Sequence, residues 1–278
     1  MQLGALLGLA SAVGFGLCDF VAGLAARSLS FWWVTLVSLT ASVVGAWVVV
    51  GARAESPAVI AVAWGTAAGF GAATGATALY RGYGHGQMAV AGPLSAVGAA
   101  ALPAVVGAAL GDRLPPVGMT GVVLALPAIW LMSSTGRSAA ARVRAGVTDG
   151  LLSGGGFALE FVGLERAGSS SGLWPVAVSQ STALVLVAAL VAILRPTWRG
   201  GVRPSALATA AGLLSLLATG LYFLAAQAGM LTVAAVLASL YPGITVALAA
   251  LVLHERPDGR QVIGLLLGAV AVTLVVIA

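Results

Sequence analysis

Long runs without a charged residue dominate this chain and decide its solvent. No Asp, Glu, Lys or Arg occurs in residues 28–52, 56–80, 82–111, 114–136, 167–194 or 204–253. A helix needs about 20 apolar residues to cross the hydrocarbon core of a bilayer. Each run but the last therefore holds one tilted helix with its flanks, and the last holds two, with Gln227-Ala228-Gly229 as the natural break. Residues 1–18 extend through Asp19 to about residue 25, a further span carries Glu160, and 261–278 closes the chain. The reading is an all-α integral membrane protein with ten transmembrane helices, near 3–25, 31–51, 58–81, 88–110, 116–134, 147–166, 171–194, 205–227, 231–253 and 260–277. Continuous apolar runs, rather than alternating ones, exclude a membrane β-barrel.

Composition agrees. Charged residues make up 8% of the chain and hydrophobic ones 60%, against roughly 25% charged in a soluble domain. So little charge cannot cover a surface in water, and the short loops leave no room for a large extramembrane domain. Cys18 is the only cysteine, which excludes an internal disulfide framework and a cysteine-cluster metal site. The first helix has no basic leader, so it reads as retained rather than cleaved. The net charge of +5 comes from thirteen arginines and no lysine. These sit in loops, where they report topology rather than nucleic-acid binding. Ten of them fall in the connections after helices one, three, five, seven and nine, and only Arg53, Arg113 and Arg166 fall in the others. By the positive-inside rule the first set is cytoplasmic and both termini lie outside.

A repeat divides the chain. Shifted by 142 residues, Ser11, Gly14, Phe15 and Leu17 meet Ser153, Gly156, Phe157 and Leu159, the first of 13 identities in 40 ungapped positions. Trp32 meets Trp174, and Ala76-Thr77 and Leu79-Tyr80 recur as Ala218-Thr219 and Leu221-Tyr222. Two units follow, residues 1–134 and 147–278, joined by a loop at 135–146. Five helices is an odd number, so the second unit inserts upside down relative to the first. Inverted repeats of this kind are a hallmark of secondary transporters, which bind substrate near the midplane between the repeats.

Five-plus-five helices, Asp112-Arg113 after the fourth and Glu255-Arg256 after the ninth resemble the drug/metabolite transporter superfamily, EamA type. Leu79-Tyr80-Arg81 and the segment Met88 to Ser95 are similar to that family's third-to-fourth helix region. The resemblance covers the whole chain through loose patterns of small residues. It implies a ten-helix fold and an exporter of metabolites or drugs, and it implies cytoplasmic termini, against the arginine count. The sixth helix, with Glu160 and Leu173-Trp174-Pro175 downstream, also resembles the first helix of the small multidrug resistance proteins. There, a membrane-embedded Glu binds proton and cationic drug in turn.

Two acids lie well inside predicted helices, Asp19 and Glu160. A charge at the bilayer centre costs at least about 2.5–3.5 kcal/mol, which makes each a functional-site candidate. Asp149, Ser153, Gly156, Glu160, Gly163 and Ala167 recur at helical spacing as one polar and small face, and Gly4, Gly8, Ala12 and Gly16 lead to Asp19 in the same way. Such faces point to neighbouring helices or a cavity. Removing a carboxyl from water favours its neutral form, which suits a group that trades a proton for substrate. Tyr80, Tyr222, Trp174, Gln180 and Tyr241 are further candidates for the path, alongside Gln227. For Tyr80, Tyr222 and Trp174 the interfacial aromatic belt is the competing reading, and for the glutamines and Tyr241 it is helix cross-linking. Pro93, Pro103 and Pro242 are expected to kink helices four and nine. Arg81, Tyr83, His85 and Gln87 cluster around a glycine-rich turn read as a solvated loop, with a gate as the alternative.

These features predict a secondary transporter of a small organic metabolite, such as an amino acid, or of a drug. Proton is the leading coupling ion, and no catalytic set, metal or cofactor is expected. Its expected partners are the solute and the bilayer of a bacterial cytoplasmic membrane, as a monomer or weak dimer. A non-transporting membrane subunit and an intramembrane lipid-modifying enzyme are the rival classes.

Overall fold

The computed structural model describes residues 2–26, 28–52, 56–84, 88–133, 143–197, 201–254 and 258–278. The chain folds into helices α1 (Gln2–Ala26), α2 (Phe31–Gly51), α3 (Val59–Gly84), α4 (Met88–Leu110), α5 (Pro116–Ser133), α6 (Val143–Arg166), α7 (Trp174–Leu194), α8 (Val202–Ala228), α9 (Leu231–Ala238), α10 (Tyr241–Val252) and α11 (Gly259–Ile277). Together α9 and α10 make one span, Leu231–Val252, so the eleven segments amount to the ten helices expected. Among the described residues, seven spans are long and apolar enough to cross a membrane. Helix α6 is not among them, because Arg144, Asp149, Glu160, Glu165 and Arg166 lower its hydropathy. Glu255 and the connecting residues 134–142 lie outside the described residues, as do His85 and Gln87.

Local chemistry sets several helix ends. Pro116, Pro175 and Pro242 each stand in a first turn, where a missing N–H costs nothing. Asp258 opens α11 with a capping box: its carboxylate accepts from the Gln261 N–H at 2.9 Å, and its own N–H donates to Gln261 Oε1 at 3.0 Å. Gly111, at φ +107°, ends α4 in a conformation that side chains resist. The next N–H, that of Asp112, then bonds back to Gly107 O at 2.9 Å.

The prolines divide in their effect. Pro242 does interrupt its span: Ser239 and Leu240 separate α9 from α10, and the Gly243 N–H turns back to Leu240 O at 3.0 Å. Helix α4 instead runs unbroken through Pro93 and Pro103, and α5 likewise carries Pro127 inside it. Neighbouring helices and local adjustment satisfy the freed carbonyls in such cases.

Sequence neighbours are seldom the main packing partners. Helix α1 lies chiefly on α8, α9 and α10; α6 lies on α3 and α4; α5 pairs with α11; and α2 packs on α7 and α8. Hydrocarbon offers no hydrophobic drive between helices, so small residues and close contact hold them. The crossings show it. A Cβ on Gly156 would stand 2.5 Å from the Gly75 nitrogen and 2.7 Å from Gly71 O, while one on Gly14 would stand 2.9 Å from Ala218 Cβ. Hydroxyls add short bonds across the same seams, Ser42 Oγ to Gly212 O at 2.6 Å and Ser11 Oγ to Ala218 O at 2.9 Å.

Candidate functional site

The two stripes of small residues behave differently along their length, and the difference locates the site. On α6 and the residue after it, Asp149, Ser153, Gly156, Glu160, Gly163 and Ala167 are all buried, as their spacing predicts. On α1, Gly4, Gly8, Ala12 and Gly16 are buried against other helices, but one turn further Asp19 is exposed and Gly23 faces open space. A cavity of about 160 Å³ begins where that packing stops. Its walls come from α1, α2, α3, α4, α6, α7, α8 and α10. They include Asp19 and Cys18 of α1, Thr35 and Ser38 of α2, Glu160 of α6, Gln180 of α7, Thr219 of α8 and Tyr241. Ala22, Val34 and Leu79 carry the lining toward the end of the bundle that holds the connections after spans one and three. We call this the odd end, and the opposite one the even end.

Glu160 forms part of the cavity's wall and is only 7% exposed. Neither it nor Asp19 makes a hydrogen bond or ion pair among the described residues. Aromatic rings surround them. Phe15, one turn before Asp19, lies 6.4 Å from Phe161 and 6.3 Å from Tyr241, centroid to centroid. Phe157, the repeat counterpart of Phe15, lines the cavity too. Gln180 Nε2 reaches Thr219 Oγ1 at 3.4 Å.

Toward the even end the described residues beneath the cavity pack closely. Tyr222 is fully buried, stacks on Phe161 at 4.1 Å, and donates its hydroxyl to Phe161 O at 3.1 Å. Phe223 and Leu164 pack beside it. Gln227 cross-links α8 to α6 by donating to Leu164 O at 3.2 Å and Glu165 O at 2.9 Å. Beyond these, Asp112 Oδ2 accepts the Thr232 N–H at 2.8 Å, tying the loop after α4 to the start of α9.

Of the residues singled out in the sequence, Asp19, Glu160, Gln180 and Tyr241 meet at this cavity. Tyr222 belongs to the plug beneath it. Trp174 stands apart, edge-on to Trp47 at 5.2 Å. The side chain of Tyr80 is outside the described residues. The polar wall residues Thr35, Ser38, Ser215 and Thr219, and the rings Phe15, Phe157 and Phe161, went unassigned from sequence. The matching phenylalanines at offset 142 were the available signal for two of them. A second cavity, of about 260 Å³, lies between α2, α7 and α8 but is lined only by Ala, Val, Leu and Gly. It has no polar group with which to orient a solute.

Arg81 is not the free loop residue its neighbours suggested. It lies in the last turns of α3 and bonds Asp149 Oδ1 of α6 through Nε at 2.9 Å and Nη2 at 2.6 Å. The carboxylate side is 4% exposed and the guanidinium side 51%. Arg81→Met therefore strands a buried charge and is expected to lower thermal stability, by less than the about 3–5 kcal/mol of a fully buried pair. Adding Asp149→Asn removes the stranded charge and should recover most of the loss. Detergent-solubilised melting curves of the single and double variants check this; a double variant less stable than Arg81→Met would refute it.

Residues 144–277 match the sequence profile of the EamA-like transporter family. A crystal structure of a protein sharing 18% identity superposes with a TM-score of 0.80 over 99% of this chain and 96% of its own. That similarity shows the fold. No curated protein matches the chain.

Proposed function

We propose that this multi-pass membrane protein is a proton-coupled secondary transporter, an exporter of a small organic solute, a reading supported by the match of residues 144–277 to the EamA-like transporter family. It works by alternating access between two inverted units, residues 1–134 and 147–278, joined by 135–146. The observation that carries the reading is a cavity at mid-bundle that holds two carboxyls unpartnered among the described residues and whose lining extends toward the odd end. Such a site suits a solute taken up from one side, released to the other when the halves rock, and exchanged for protons on Glu160 and Asp19.

The packing supports the inverted units. Gly14 of α1 meets Ala218 of α8, and its counterpart Gly156 of α6 meets Gly75 of α3, beside Ala76, the counterpart of Ala218. The two crossings are thus related by exchange of the halves. The two acids occupy nearly exchanged places as well, because at offset 142 Glu160 faces Cys18, next to Asp19.

Flux into proteoliposomes tests the function. A pH gradient should drive solute uptake that empty vesicles lack; no solute movement with correctly inserted protein would leave a scaffold or an intramembrane enzyme.

Orientation follows from charge. Ten arginines against three favour a cytoplasmic odd end, against the family resemblance, and in that orientation the cavity faces the compartment from which an exporter loads. Single cysteines replacing Ala139 and Gly201, in a Cys18→Ser background, are expected to be protected from an impermeant thiol reagent in intact cells. Labelling of both would reverse the assignment.

A further inference from the structure

We propose that Asp112 is a positioning residue of the transport cycle: by capping α9 from the end of α4, it holds the even end closed while the cavity faces the odd end. The proposal rests on the alternating-access reading. It gives a role to the acid–Arg pair after α4, which the cavity does not use.

The first turn of a helix leaves N–H groups without intrahelical acceptors. Helix α9 begins at Leu231, and its N-cap residue, Met230, makes no side-chain cap bond. The acceptor comes instead from 120 positions away, where Asp112 Oδ2 takes the Thr232 N–H at 2.8 Å. A carboxylate there also meets the positive end of the helix dipole. The chain is shaped for this contact. Gly111, at φ +107°, turns the backbone after α4, and a Cβ on Gly107 would overlap both Asp112 Oδ2 and Thr232 Oγ1. Thr232 Oγ1 adds a second bond across the seam, to Ala104 O of α4 at 3.3 Å.

The cap joins parts that alternating access has to separate. Tyr222 of α8 packs on Phe161 of α6 beneath the cavity, so a path to the even end requires α8 and α6 to part. Helix α4 lies chiefly on α6, and α9 follows α8 after only Gly229 and Met230. Parting α6 from α8 therefore draws α4 away from α9. A cap supplied by α9's own neighbours would survive that motion, whereas one supplied across the seam is made only while the even end is closed. Once the seam opens, water can satisfy the Thr232 N–H. Loss of Asp112 thus destabilises one conformation and spares the other. The population should shift by about twofold to thirtyfold, the range that a lost N-cap spans.

Cys18, the only cysteine and a wall residue of the cavity, reports which end is open. An impermeant thiol reagent is applied to the full chain from one side at a time, in membrane vesicles of both orientations. Reaction of Gly201→Cys in a Cys18→Ser background identifies the odd side. Wild type should react faster from that side. Asp112→Ala should slow the odd-side reaction and speed the even-side one, changing their ratio by about threefold or more. Asp112→Asn keeps an acceptor and should stay close to wild type. Thr232→Pro removes the N–H itself, at the second helical position that Pro175 and Pro242 hold in α7 and α10, and should reproduce Asp112→Ala. Thr232→Val keeps the N–H and should not. An unchanged ratio in both Asp112→Ala and Thr232→Pro overturns the proposal, as do rates that rise together from both sides, which a loosened fold would give. Flux separates the two readings: solute transport with an unchanged ratio sinks the Asp112 inference alone, whereas a shifted ratio without any solute flux sinks the transporter reading alone.

Discussion

Glu160→Gln is expected to abolish pH-gradient-driven transport, by on the order of a hundredfold or more, the scale on which loss of a proton-transferring group is felt. The side chain is 7% exposed, has no hydrogen-bond partner among the described residues, and stands in the wall of the cavity. Glutamine keeps its size and hydrogen-bonding reach but holds no exchangeable proton at any working pH. The residual rate should therefore lose its pH dependence rather than shift it. Folding should not suffer, because a neutral amide costs less to bury than a carboxylate. Matched proteoliposomes of wild type and variant, compared for rate, pH profile and melting temperature, measure all three. A wild-type rate with a wild-type pH profile would remove Glu160 from the mechanism. Asp19→Asn is the parallel case and should have a smaller effect, since Asp19 is exposed while Glu160 is buried.

Gly156→Leu is expected to be the most disruptive single change to the fold. A Cβ there would lie 2.5 Å from the Gly75 nitrogen, 2.7 Å from Gly75 Cα and 2.7 Å from Gly71 O. All three are backbone atoms, so no side chain can swing aside. From the other side, a Cβ on Gly71 would lie 2.5 Å from Gly156 O and 2.6 Å from the Glu160 nitrogen. Helices α3 and α6 thus meet backbone to backbone, one turn from the candidate proton site. Overpacking of this kind costs about 1–3 kcal/mol and occasionally more. The variant should lose yield and melt earlier, and what survives should transport poorly because Glu160 moves with α6. Gly155→Leu is the control, for a Cβ at Gly155 meets nothing, and it should behave like wild type. Equal melting temperatures for the two variants would refute the packing argument.

The acids show how far sequence reasoning reaches into a site. Helical spacing marked the α6 face of Glu160 correctly, and each of its six positions is buried. Asp19 was marked by the same logic, yet spacing alone cannot say that the α1 stripe stops being a packing surface at Gly16 and becomes a cavity wall. Tyr222 and Trp174 were legible only as amphipathic aromatics. One became the core of a plug against Phe161 and the other an edge contact on Trp47. Arg81 illustrates the reverse, since its partner Asp149 lies 68 positions away and no local pattern links them.

What the sequence by itself determined is the number, extent and α-helical nature of the spans, together with the break at Pro242. The bilayer enforces those locally: each segment must be apolar enough to enter and must satisfy its own backbone hydrogen bonds, conditions written into some 20 consecutive residues. The tertiary structure alone decided which helices touch, that Asp19 and Glu160 share one cavity, and that its lining extends toward the odd end while Tyr222 packs beneath it against Phe161. In hydrocarbon nearly every helix face is apolar, so hydropathy does not rank the possible partners. The choice falls to short-range fits such as Gly156 on Gly75 and Ser42 on Gly212, between residues far apart in the chain.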